Sequence, residues 1–129
     1  MPVIETAQWR VKKANHDKFL NLVVHGPYND DSMGLTYQSK HPEIYRYAKT
    51  RTWSRPLDDS DEEDWFFIDE YNSMDDYHES HKNYASQAEE VHMEKMTKLQ
   101  SELMVPDSLQ GPYVWEEQPG TNIQFADRL

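Results

Sequence analysis

The run WFFIDEY, residues 65 to 71, constrains the fold of this chain more than any other stretch. Its aromatic and β-branched residues read as a β-strand, and they occupy both parities. Trp65, Phe67 and Tyr71 share one side, while Phe66 and Ile68 share the other. A strand whose sheet has one wet face alternates apolar with polar residues. Leaving this second face in water would forfeit on the order of 1.5–3 kcal/mol per large side chain. Something must cover it: a second copy of the chain, sheet against sheet, or the chain's own C-terminal tail.

The other elements follow from periodicity and breakers. VIETAQWRVKK alternates with period two, placing Val3, Ala7, Trp9 and Val11 on one side, and reads as the first strand. A short helix follows, with Asn15 as its cap, Phe19, Leu20, Val23 and Val24 as its apolar residues, and Gly26–Pro27 as its stop. Residues 27–42 are rich in turn-formers and predict a long surface loop, a common position for a lid or substrate wall. A second strand is expected from Tyr47 to Ser54, and an acidic connection joins it to WFFIDEY. One long helix is expected from Ser73 to Met104, with Ser73 as cap and Asp75 and Asp76 favourably placed in its first turn. PYVWEEQ gives a fourth strand, and 119–129 form a tail in which NIQFA adds a short element. The whole, residues 1–129, reads as a single α+β domain in the order β-α-β-β-α-β. That is a ferredoxin-like protomer with a four-stranded antiparallel sheet.

Composition narrows the classes of function. A net charge of −11 argues against nucleic acid as a partner. No apolar run is long enough to cross a membrane. The residues after Met1 lack the charged and apolar regions of a secretory signal. The absence of cysteine removes disulfide and thiolate chemistry, and a cytoplasmic location is the expectation.

FFIDEYNSMDDYHESH, residues 66–81, is an aromatic strand ending in Glu-x-aromatic, followed by an acidic helix start and a histidine. In this it resembles the dimeric α+β barrel superfamily, whose members include antibiotic-biosynthesis-type monooxygenases. The matching element order extends the resemblance over roughly Val3 to Gln118. It implies a homodimer whose two sheets form a barrel, with a ligand pocket between each sheet and its own helices. It further implies a cofactor-independent oxygenase, or a cyclase or isomerase, acting on a small aromatic or polyketide-like molecule. The haem-degrading branch carries a first-strand asparagine and a tryptophan–histidine pair on the second helix. This chain has Thr6, Ala7 and Gln8 in the first place and no tryptophan in the second, so haem chemistry is not carried over.

On the long helix Tyr77, His81, Tyr84, Ala88, His92, Met96, Leu99 and Leu103 recur at helical spacing, so both histidines should face the sheet. His81 is the candidate general base, with Tyr77 one turn away to orient a substrate or hold its oxyanion. A hydrogen-bonded core histidine is the plain alternative, more so for His92. The expected site is bounded by Trp9, Tyr77, His81 and the loop from Tyr28 to Tyr37, near the start of the helix; Tyr84 and His92 lie further along the same stripe. Lys49 and Arg51, with Tyr47 and Trp53 nearby, either pair with acidic neighbours or offer charge beside aromatic rings to an anionic ligand. His78 and His81 lack a third ligand fixed by spacing, and the single Glu-x-x-His does not make a di-iron site, so no metal and no cofactor is expected. Three classes remain open: an enzyme of the kind described, a ligand-binding or stress-related barrel without turnover, and a purely structural homodimer.

Overall fold

A computed structural model describes residues 1–27, 34–87 and 90–126, with the backbone alone for 84–87 and 90–93. Four strands, β1 (Val3–Lys12), β2 (Lys49–Pro56), β3 (Glu62–Tyr71) and β4 (Gln110–Glu116), form one antiparallel sheet in the order β2-β3-β1-β4. The helices α1 (His16–His25), α2 (Gly34–Ser39), α3 (Pro42–Tyr45), α4 (Met74–Gln87) and α5 (Glu90–Leu103) complete the ferredoxin-like α+β protomer.

The sheet register fixes which side chains share a face. Trp9 lies opposite Trp65, Ala7 opposite Phe67, Glu5 opposite Asp69 and Val3 opposite Tyr71, all on the helix side. Phe19 of α1 seals that side, its ring centroid 4.9 Å from Trp65 and 5.7 Å from Trp9. Trp65, Phe19 and Val11 are almost wholly buried. Each such side chain contributes about 1.5–3 kcal/mol, so this cluster holds α1 to the sheet.

The other face carries Phe66 and Ile68 of β3, paired with Trp53 and Arg51 of β2 and with Gln8 and Thr6 of β1. Tyr113 and Trp115 of β4 join them there. Trp53, Tyr113 and Trp115 remain more than half exposed, so the described part of the tail does not cover this face. Ile123 and Phe125 of the tail are themselves exposed, and 121–125 form no regular element.

Two expectations about secondary structure change. Within the predicted loop, residues 34–39 are a helix. A Cβ at Gly34, whose φ is +84°, would come within 2.9 Å of the Val23 and Val24 carbonyls and the Gly26 nitrogen. Thr36 also donates to the Val24 carbonyl at 2.8 Å. These contacts seat α2 on the end of α1, and they are tertiary, so local composition does not announce them. Second, β2 begins at Lys49, because Tyr47 turns into the helix side against Tyr45 and Tyr71, with centroids 6.0 and 5.4 Å away. The long helix is described as α4 and α5; residues 88–89 lie outside the described residues.

Candidate ligand and proton-transfer site

Between the sheet and α1, α2 and α5 lies a cavity of about 420 Å³. Trp9, Phe19 and Phe67 form its aromatic wall, Met96 and Met104 its helical wall, and Leu35 and Gln38 of α2 its third side. Thr50, Thr52 and Ala7 on the sheet are small, which is why space remains above them. A second pocket of about 230 Å³ adjoins it toward α4, lined by Glu5, Tyr45, Tyr71, Ser80 and His81. The two share Gln38, Tyr47 and Asp69.

Asp69 therefore stands where the pockets meet. Burial pushes its carboxyl up to about 6; the Thr50 hydrogen bond and the nearby His81 oppose that shift, and Glu5 adds to it. Thr50 Oγ1 donates to Asp69 Oδ1 at 2.5 Å, and no described residue donates to Oδ2. Tyr47 and Tyr71 are raised above the usual tyrosine range, chiefly by burial and then by the Asp69 charge. Both remain protonated hydroxyls at neutral pH.

His81 comes from the second turn of α4, which the Ser80 hydroxyl fastens to the Tyr45 carbonyl. Its Nε2 lies 3.2 Å from Glu5 Oε2 and its Nδ1 3.0 Å from the Tyr77 carbonyl oxygen. Both ring nitrogens thus face oxygen atoms. The side chain is 47% exposed, whereas that of Glu5 is 9% exposed. His81 thus sits at the mouth of the smaller pocket rather than inside the larger one. Tyr77 stacks on it with centroids 4.3 Å apart and meets Tyr71 edge-on at 5.3 Å. Burial, then the Glu5 charge, raises the Tyr77 hydroxyl.

The predicted site residues fall into separate groups. Trp9 lines the large cavity, and its buried indole N–H has no acceptor among the described residues. Tyr77 and His81 come together at the small one. Tyr37 packs against His41 and Tyr45 instead of lining either pocket, while its neighbour Gln38 lines both. Lys49, Arg51 and Trp53 face away from the helices; the register opposes them to Glu70, Ile68 and Phe66, and Arg51 donates to Glu70 at 2.7 Å. Tyr28 lies outside the described residues, as do the side chains of Tyr84 and His92. The larger cavity also lies along Met96 to Met104, not at the start of α4, because Thr97, Gln100 and Ser101 there fill less space than the tyrosines under α4. Among the described residues no three His, Asp or Glu side chains are placed to share a metal ion, and no helix is long and apolar enough to cross a membrane.

Glu5 and Asp69 were absent from the sequence-derived site. The signal existed: Glu5 has the parity of Val3, Ala7 and Trp9, and Asp69 that of Phe67 and Tyr71. A carboxylate on an apolar strand face is costly to bury, so it marks either a partner or a function.

No family model and no curated protein matches this chain. Solved structures do match over nearly its whole length. A NIPSNAP family protein from Agrobacterium tumefaciens aligns with a TM-score of 0.57 at 14% identity, covering 96% of this chain and 100% of that one. HapK from Hahella chejuensis gives 0.53 at 9% identity over 97% and 100%. A Bacillus cereus protein described as an antibiotic biosynthesis monooxygenase gives 0.53 at 10% identity over 97% and 99%. At these identities the likeness establishes architecture alone. The chain shares with these three structures a ferredoxin-like α+β protomer fold built on a four-stranded antiparallel sheet.

Proposed function

We propose that the chain is a small-molecule enzyme that removes a proton from a compact aromatic or polyketide-like substrate held between the sheet and its helices. One observation carries the reading: the 420 Å³ cavity has an aromatic and methionine wall, with the Asp69 carboxyl at its border. A largely apolar concavity with a few placed polar groups is the usual form of a ligand site. His81 handles the proton at the narrow end, and Tyr77 packs on the His81 ring and holds it in place. Loss of a proton leaves an electron-rich enolate or phenolate, from which cofactor-independent oxygenation, ring closure or isomerisation can follow. The neighbour described as a monooxygenase supports the first of these.

In the same reading a second copy covers the outer sheet face, where Trp53, Tyr113 and Trp115 are 54%, 53% and 55% exposed. Trp115→Glu then yields monomers by light scattering, and a parental protein that is monomeric at micromolar concentration contradicts the dimer. For the site, 2-naphthol and 2-tetralone serve as bicyclic probes, with binding read by calorimetry and tryptophan fluorescence. Thr52→Phe fills the cavity from β2 and is expected to weaken binding at least about tenfold, about 1.4 kcal/mol, with circular dichroism unchanged. Undiminished binding in Thr52→Phe would sink the cavity assignment. Binding without exchange of the acidic C–H protons of 2-tetralone in D2O favours the non-catalytic, ligand-binding dimer instead.

A further inference from the structure

Resting on that reading of the cavity, we infer that Asp69 is the group that takes the proton from the ligand and that Glu5 and His81 form a relay carrying it to solvent. The three line one pocket, with Asp69 and Glu5 side by side on the sheet and His81 at the mouth. Asp69 is the only one of them that borders the large cavity, and one of its oxygens has no donor among the described residues. Glu5 is its cross-strand partner on the same face of the sheet, where directly paired side chains have Cβ atoms about 4.5–5.5 Å apart. Glu5 reaches His81 Nε2 at 3.2 Å, and the His81 side chain is 47% exposed. The Tyr77 carbonyl fixes the other ring nitrogen at 3.0 Å, so the imidazole keeps its edge toward Glu5.

The step balances without a co-reactant. A C–H or O–H bond of the ligand breaks, its electron pair stays on the ligand as enolate or phenolate, and the proton goes to Asp69 Oδ2. Asp69 passes a proton to Glu5, Glu5 to His81, and His81 to water. The titratable groups facing Asp69 are Glu5 from β1, His81 from α4, and Tyr47 and Tyr71, whose hydroxyls stay protonated. The remaining neighbours from β2 and α2, Thr50 and Gln38, do not ionise. A carboxylate raised to about 6 is also a stronger base than an ordinary aspartate while still ionised at pH 7.

The test uses 2-tetralone exchange in D2O, followed by NMR, on the full chain. Asp69→Asn is expected to bind the probe like the parent and to exchange its protons at least about 10²-fold more slowly. Glu5→Gln and His81→Asn are expected to slow exchange less, and small imidazole buffers should restore the His81→Asn rate. A merely structural histidine would show no such rescue. Parental exchange in Asp69→Asn, or a His81→Asn defect that ignores buffer, overturns the relay while leaving ligand binding intact as a separate result. If neither probe binds, titration of the Asp69 carboxyl by 13C NMR still decides the matter in the ligand-free protein. The relay requires a midpoint near 6 that falls in Glu5→Gln and rises in His81→Asn; a midpoint indifferent to both variants overturns it.

Discussion

The helix side of the sheet carries two histidine–glutamate pairs that differ only in what surrounds them. At the end of the sheet next to the β2–β3 connection, His16 Nδ1 lies 2.6 Å from Glu63 Oε1, which also accepts from Trp65 Nε1 at 2.8 Å. The imidazole leans on the Trp65 ring at 5.2 Å, Phe19 packs on Trp65, and neither Glu63 nor His16 lines either of the two pockets described. At the other end the His81–Glu5 contact is longer, 3.2 Å, and both residues line an open pocket beside a second carboxylate, Asp69. Glu63 holds both His16 and the Trp65 indole within the aromatic cluster, so the first pair pins α1 to the sheet, although its histidine is 38% exposed. The second has another carboxylate, Asp69, beside it and a pocket in front of it. In the proposed reading the same two residue types give a structural pin or a proton-handling site according to what packs around them.

Three comparisons sharpen that contrast. The largest effect is expected from Trp65→Ala, which empties the sealed end and should lower unfolding free energy in urea by about 3–5 kcal/mol. Tyr77→Ala, at the open end, should cost at most about 2 kcal/mol; equal costs would erase the distinction. Next comes the pH dependence of Asp69. Its folded pKa of about 6 exceeds the ordinary 3.8, so between those values the native state binds the extra proton. Stability therefore falls as pH rises through this window, by roughly 2–3 kcal/mol in total. Asp69→Asn removes that slope, so its thermal midpoint should gain on the parent from pH 4 to 7, and a constant difference across that range would contradict the burial of the charge. The smallest effect separates the glutamates. Glu63→Leu leaves the buried Trp65 N–H without its acceptor and should cost about 1–3 kcal/mol. Glu5→Leu removes a repulsion from Asp69 and should change stability by less than about 1 kcal/mol.

The faces of β3 were legible from sequence because bulky residues at both parities have one structural meaning whatever the neighbours are. So were the ends of α1, at Asn15 and Gly26, though its buried residues are Phe19 and Leu22 while Leu20, expected among its apolar residues, is 43% exposed. The helix at 34–39 was not: six residues do not hold a helix by propensity, and its support comes from Gly34 and Thr36 against the end of α1. The phase of β2 was equally hidden. Nothing within KTRTWSRP says that Thr50 and Thr52 face the helices while Lys49, Arg51 and Trp53 face out; pairing with Ile68 and Phe66 decides it. That His81 faces the sheet was legible because helical spacing is local, but Glu5 and Asp69 become a pair only through a register that joins strands sixty-odd residues apart.

The central claim is that the open end of this sheet face holds a ligand against Asp69. A structure of the protein with 2-naphthol bound, determined in solution from intermolecular NOEs, tests it most directly. The expected result places the naphthyl rings against Trp9, Phe67 and Met104 with the hydroxyl within hydrogen-bonding distance of the Asp69 carboxyl. Contacts confined to the outer-face residues Trp53, Tyr113 and Trp115, with none to Trp9 or Met104, would contradict it.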